Sequence, residues 1–191
     1  GEIDESHFGF DVDLSSDGTI LAVGAPREPQ GSNLGGAVLL YEYSNSSWSK
    51  IGNSIYGTEA GARFGYDVSL SNDGTIVAAG EPYAYSNSGG VRIFKNLGGS
   101  WNQLGNAITI YSGQNDELGV TVDISGNGLT LAAGSPYDDD GGNDDVGSVK
   151  IYNYTPGGNV YTNGSWGITT EIHGTWPSGE MGRGLSMSYN G

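Results

Sequence analysis

The sequence contains no cysteine. Disulfides, thiolate metal sites and cysteine nucleophiles are excluded together, while the redox compartment stays open, because secreted proteins need not carry disulfides. Basic side chains are scarce: 7 Lys and Arg stand against 22 Asp and Glu, a net charge of −15. A surface that acidic repels phosphate backbones, which argues against nucleic acid and anionic membranes as partners. No apolar run approaches the roughly 20 residues that a membrane-spanning helix needs, so no membrane insertion is expected. Long glycine-free stretches are missing too; only Ala37 to Ile51 exceeds ten residues, which leaves no room for long helices. No targeting segment is visible, and because the chain opens on Gly1 rather than Met, an upstream piece is expected.

What the chain has instead is glycine, 35 of 191 residues, and a repeat. Phe8-Gly-Phe-Asp-Val-Asp-Leu-Ser-Ser-Asp-Gly18 returns as Phe64-Gly-Tyr-Asp-Val-Ser-Leu-Ser-Asn-Asp-Gly74. Weaker copies begin at Leu118-Gly119 and Met181-Gly182, giving spacings of 56, 54 and 63 residues. Gly24-Ala-Pro26, Gly80-Glu-Pro82 and Gly134-Ser-Pro136 keep the same phase, as do Trp48, Trp101 and Trp166. Each unit reads as four short strands. Val12 and Leu14 alternate with polar residues before the Asp17-Gly18 turn, Ile20 to Ala25 is mostly apolar, and a Gly-rich loop follows. A third strand carries Val38 and Leu40, or Val91 and Ile93, or Val149 and Ile151, and a fourth starts at the tryptophan. The sequence therefore predicts an all-β fold of β-propeller blades, each of four antiparallel strands. Three repeats, at about 1–56, 57–112 and 113–173, precede the first strand of a fourth at 174–191. A stacked solenoid is the competing architecture, but its repeats are usually shorter.

Phe8-Gly9 and Gly24-Ala25-Pro26 resemble the FG-GAP repeat, the blade unit of integrin alpha-subunit propellers. With Trp101 to Ile108 the whole pattern is similar to FG-GAP-type repeats of large microbial surface proteins. That resemblance implies an extracellular or cell-surface module for adhesion or structural assembly, part of a larger filament-forming glycoprotein, with no catalysis. It also implies a calcium loop between the first two strands. The matching segments, Asp13 to Gly18, Ser69 to Gly74 and Asp123 to Gly128, lack the closing carboxylate, replaced by Leu21, Val77 and Leu131. Asp17 and Asp73 are therefore expected as turn residues.

Several residues invite chemistry. Asp138, Asp139, Asp140, Asp144 and Asp145 crowd one loop of the third unit. Their mutual repulsion reads as a solvated acidic loop, or as weak calcium binding through Asp138, Asp140, Asp144 and Asp145. Glycosylation sequons begin at Asn45, Asn153 and Asn163, a number that composition alone produces. The phased tryptophans suit packing, whereas Trp176, without an aromatic counterpart, suits loop packing or stacking on a sugar. His7 and His173 fall at different phases and give no support to a shared histidine site. Glu59, Glu117, Glu171 and Glu180 could supply paired carboxylates, yet nothing in their spacing selects two. The leading expectation is a non-enzymatic module that binds protein partners or itself through blade faces and edges. The alternatives are a glycan-binding propeller using Trp176 and Tyr83, or a fragment of a propeller hydrolase or lyase.

Overall fold

The computed structural model describes residues 5–31, 33–110, 115–139, 145–157, 164–188 and 190–191. It is an all-β arrangement of three consecutive antiparallel sheets, as the repeat predicts. The first holds β1 (Val12–Leu14), β2 (Ile20–Ala25), β3 (Ala37–Ser44), β4 (Ser47–Lys50) and β5 (Ile55–Tyr56). The second holds β6 (Val68–Leu70), β7 (Ile76–Gly80), β8 (Gly90–Leu97), β9 (Ser100–Gln103) and β10 (Ile108–Thr109). The third holds β11 (Thr121–Ile124), β12 (Thr130–Ser135), β13 (Ser148–Thr155) and β14 (Ser165–His173). In the first two blades the fourth strand is broken in two, both pieces pairing with the third. In the third blade it stays continuous and absorbs an irregularity opposite Ile151 and Tyr152. A four-residue turn of helix, α1 (Ala84–Asn87), contains Tyr85 and Ser86 in left-handed conformation and is no regular helix. No helix among the described residues is long and apolar enough to cross a membrane.

The cores lie between blades. Val38, Leu40 and Ile55 of the first sheet meet Phe64, Val68, Leu70 and Phe94 of the second. Val91, Ile93 and Ile108 of the second meet Leu118, Val122, Ile124 and Tyr152 of the third. The signature glycines sit where the blades touch. A Cβ on Gly24, Gly80 or Gly134 would overlap the carbonyl oxygen of Gly65, Gly119 or Gly182 of the following unit. Both motifs are thus explained by close backbone approach between sheets.

Asp17 Oδ1 accepts from the Ser15 and Thr19 hydroxyls and from the Thr19 N–H; Asp73 repeats this with Ser71 and Thr75. These are turn residues, as expected. Residues 181–187 dock on the third blade, where Met181 bridges Gly147 and the Met187 N–H donates to Asp123 Oδ2 at 2.6 Å. The apolar positions buried inside the arc are open at its two ends. Val12 is 54% exposed against 4% for Val68 and 5% for Val122, and Ile172 is 49% exposed against 6% for Ile108.

Candidate active site

Antiparallel pairing sends the short turns after β1, β6 and β11 to one end of the arc. The long loops after β2, β7 and β12, and the connections between blades, go to the other, here the loop end. The inter-blade connections share one backbone. The residue before each signature pair is left-handed: His7 (φ 55°), Arg63 (58°), Glu117 (54°) and Glu180 (50°). Glu5, Gly61, Asn115 and Ser178, two residues earlier, are left-handed as well, so the conformation belongs to the turn. Such a backbone costs a non-glycine residue about 1–3 kcal/mol. The side chain it carries is ionisable in all four units.

Around that row an aromatic and charged surface assembles. The Arg63 guanidinium lies 4.3 Å from the centre of the Tyr83 ring, and Tyr83 meets Tyr66 edge to face at 6.2 Å. Tyr66 packs on Phe10 at 4.8 Å. Arg183 stands 5.0 Å over the Tyr137 ring and bonds both the Tyr137 hydroxyl and Glu180. Burial pushes the Glu117 carboxyl up from the usual carboxylate range, and the charges of Arg183 and Arg63 pull it back. Burial also raises Tyr83, and the Glu117 charge adds to it. Five of the seven basic residues (Arg27, Arg63, Arg92, Lys150 and Arg183) gather on loop-end connections or within the first three residues of strands that begin there. Of these, Arg92 and Lys150 are held in ion pairs with Glu81 and with Asp138 and Glu171, while the charges of Arg63 and Arg183 act on Glu117.

Behind this surface a carboxylate ladder ties the blades together. Asp11 Oδ2 accepts from the Val68 N–H (2.8 Å), Asp13 from Leu70 (2.7 Å) and Asp67 from Val122 (2.6 Å). Burial, with the Asp11 and Asp123 charges, pushes Asp67 up to about 7.

Further out in the third blade, Lys150 Nζ contacts Asp138 Oδ2 at 2.5 Å, the Ser148 hydroxyl at 2.7 Å and Glu171. His173 stands 3.8 Å from Asp138 and 3.7 Å from Glu171. Asp138, Glu171 and His173 are close enough to share a metal ion, but the Lys150 ammonium already lies between the two carboxylates and offsets one of their charges. At the equivalent place in the second blade, Arg92 pairs with Glu81 and stacks on Phe64 at 4.0 Å. The cluster is thus a largely buried ion-pair network, in which removal of Lys150 would leave carboxylates without a countercharge. Asp116 beside it is 2% exposed, with Oδ2 unpartnered among the described residues. Burial and then the Asp138 charge push it up to about 6.

The structure redistributes the residues singled out in the sequence. Asp138 is not solvated but turned inward onto Lys150, and Asp139 accepts the Asp145 N–H at 2.9 Å. Asp140, Asp144 and Asn163 lie outside the described residues. Asn45 is exposed in the β3–β4 turn, and Asn153 is exposed on β13 opposite Gly167. Trp101 and Trp166 pack against the inter-blade cores, while Trp48 is 43% exposed beside Tyr43. Trp176, 77% exposed, is not packed into its loop. Glu59, Glu117, Glu171 and Glu180 all reach the loop end, which their spacing did not reveal. Arg63, Arg183 and Tyr137 were missed. For Arg63 the signal available was an ionisable residue before every signature pair; Arg183 and Tyr137 carry no such signal.

No protein-family model matches the sequence, and no curated protein does. By structure the chain is similar to a protein of Bacteroides fragilis provisionally named a 6-phosphogluconolactonase, with a TM-score of 0.60 and 18% identity over 91% of this chain and 41% of that one. A second protein so named, from Bacteroides uniformis, matches with a TM-score of 0.58 and 18% identity over 87% of this chain and 41% of its own. The chain therefore spans about two fifths of either. These likenesses show a β-propeller fold. They also correct the expectations drawn from FG-GAP repeats: no such family is indicated. The reading as a non-enzymatic adhesion or assembly module falls with it, since the similar propellers carry enzyme names.

Proposed function

We propose that the loop end is the active face of a propeller hydrolase that opens a sugar lactone bearing an anionic group. The observation that carries this reading is the pair of arginines, Arg63 and Arg183, whose charges act on the partly buried Glu117 carboxyl. Arg63 and Arg183 bind the anionic group and stabilise the oxyanion that forms on the lactone carbonyl. The Glu117 carboxylate takes a proton from water as its oxygen attacks the carbonyl carbon. The ring C–O bond breaks, the ring oxygen leaves with a proton, and a hydroxy acid results. Tyr66, Tyr83 and Tyr137 provide faces for the sugar ring. The names of the two similar propellers agree with this substrate class. The two open apolar faces call for cover, by further blades or a second copy, because rings of four to eight blades are the rule.

The test is acid release from 6-phosphogluconolactone by the whole protein, measured against spontaneous opening. Glu117→Gln should lower kcat by about 10²–10⁴, the usual contribution of a general base. Arg63→Gln should both raise KM and lower kcat, because it removes a contact to the anionic group and one to the oxyanion. Because burial holds Glu117 above the usual carboxylate range, the rate should rise with pH through that raised value. No acceleration, or an unaffected Glu117→Gln variant, overturns the reading.

A further inference from the structure

A groove of about 500 Å³ runs along the outer wall between the first and second blades. It is lined by Gln30, Asn53, Ser54, Tyr56, Ser100 and Trp101, with glycine and Ile55 between them and no charged residue. Its volume falls in the range of small-molecule sites, about 300–1,000 Å³. The break between β4 and β5 forms one side and the β8–β9 turn the other.

The repeat supplies an internal comparison. The matching groove between the second and third blades, lined by Asn106, Thr109, Tyr152, Ser165 and Trp166, holds about 260 Å³. There the Trp166 indole N–H donates across the blades to the Leu104 carbonyl at 2.9 Å. At the same phase the Trp101 indole N–H is buried without a partner among the described residues. The larger groove is therefore the one whose tryptophan is not tied to the neighbouring blade. A buried unpaired N–H is destabilising, and a ligand oxygen relieves it once the indole turns toward the groove.

The lining chooses the ligand. Amides from Gln30 and Asn53 and hydroxyls from Ser54, Ser100 and Tyr56 both give and accept hydrogen bonds. Trp101 offers an aromatic face; no charged residue lines the groove, and the nearby Lys50 ammonium is held on the Ser54 hydroxyl at 2.6 Å. We propose that this groove binds a neutral saccharide, with a pyranose ring on Trp101 and its hydroxyls on Asn53 and Ser54. Arg63 and Arg183 do not line this groove, so it stands or falls independently of the hydrolase reading.

Calorimetric titration of the whole chain with maltotriose, cellotriose and tri-N-acetylchitotriose tests it, with tryptophan emission followed in parallel. Saturable binding of at least one trisaccharide is expected. Asn53→Ala, at an exposed position that should not disturb folding, weakens it about tenfold, the equivalent of one hydrogen bond. Trp101→Phe removes the emission change, whereas Trp166→Phe leaves it. Absence of saturable binding of all three at millimolar concentration overturns the proposal, and so does affinity unchanged by Asn53→Ala.

Discussion

Gly24, Gly80 and Gly134 recur for a reason unrelated to turn formation: each lies against the carbonyl of a glycine in the next unit, with no room for a Cβ. The repeat signature is a record of blade contact, which is why it was legible in the sequence although its family resemblance misled. Asp67 shows the opposite case, a residue whose role appears only when blades are placed side by side. Its carboxylate accepts the Val122 N–H while burial and neighbouring carboxylates hold it up at about 7. Its value in the unfolded chain is about 3.9. The native state thus holds the extra proton between these values, and the stability this contributes, full below pH 4, is lost as pH rises through 7. Thermal melts should show falling Tm across that window. Asp67→Asn, which keeps the acceptor oxygen, should raise Tm at pH 8 and flatten part of the slope. A slope unchanged by Asp67→Asn would place the effect on other carboxylates.

At the scale of elements, the apolar second strands, the third-strand alternation and the tryptophan strand were all readable, because each is set by local periodicity. The break between β4 and β5, and its repetition between β9 and β10, was not readable, since the interruption depends on contact with the next blade. A Cβ on Gly52 in that break would collide with the Gly99 carbonyl of the following β8–β9 turn. The loop end was hidden for another reason. His7, Arg63, Glu117 and Glu180 share one left-handed backbone position but differ in chemistry, so comparison of repeats treats them as noise. Asp138 was misread because its partner, Lys150, is twelve residues away across a loop and a strand. An acidic run looks solvated until the cation that folds one member inward is found.

For the molecule as a whole, the open faces carry the consequence. Phe8, Val12 and Leu14 at one end and Ile168 and Ile172 at the other are exposed, while their interior counterparts form the cores. Patches of that kind associate. Light scattering after size exclusion should therefore give a mass above that of one chain, and Val12→Asp with Ile172→Asp should reduce it. A strictly monomeric, cooperatively folding chain would show that these faces need no cover. The central claim, that the loop end is where this propeller meets its ligand, is tested most directly by nuclear magnetic resonance with 6-phosphogluconate, the hydroxy acid such a lactone yields. Shifts confined to the amides around Arg63, Tyr83, Glu117, Tyr137 and Arg183 are predicted. Silence at those positions, or shifts centred on the opposite turns around Asp17 and Asp73, would contradict it.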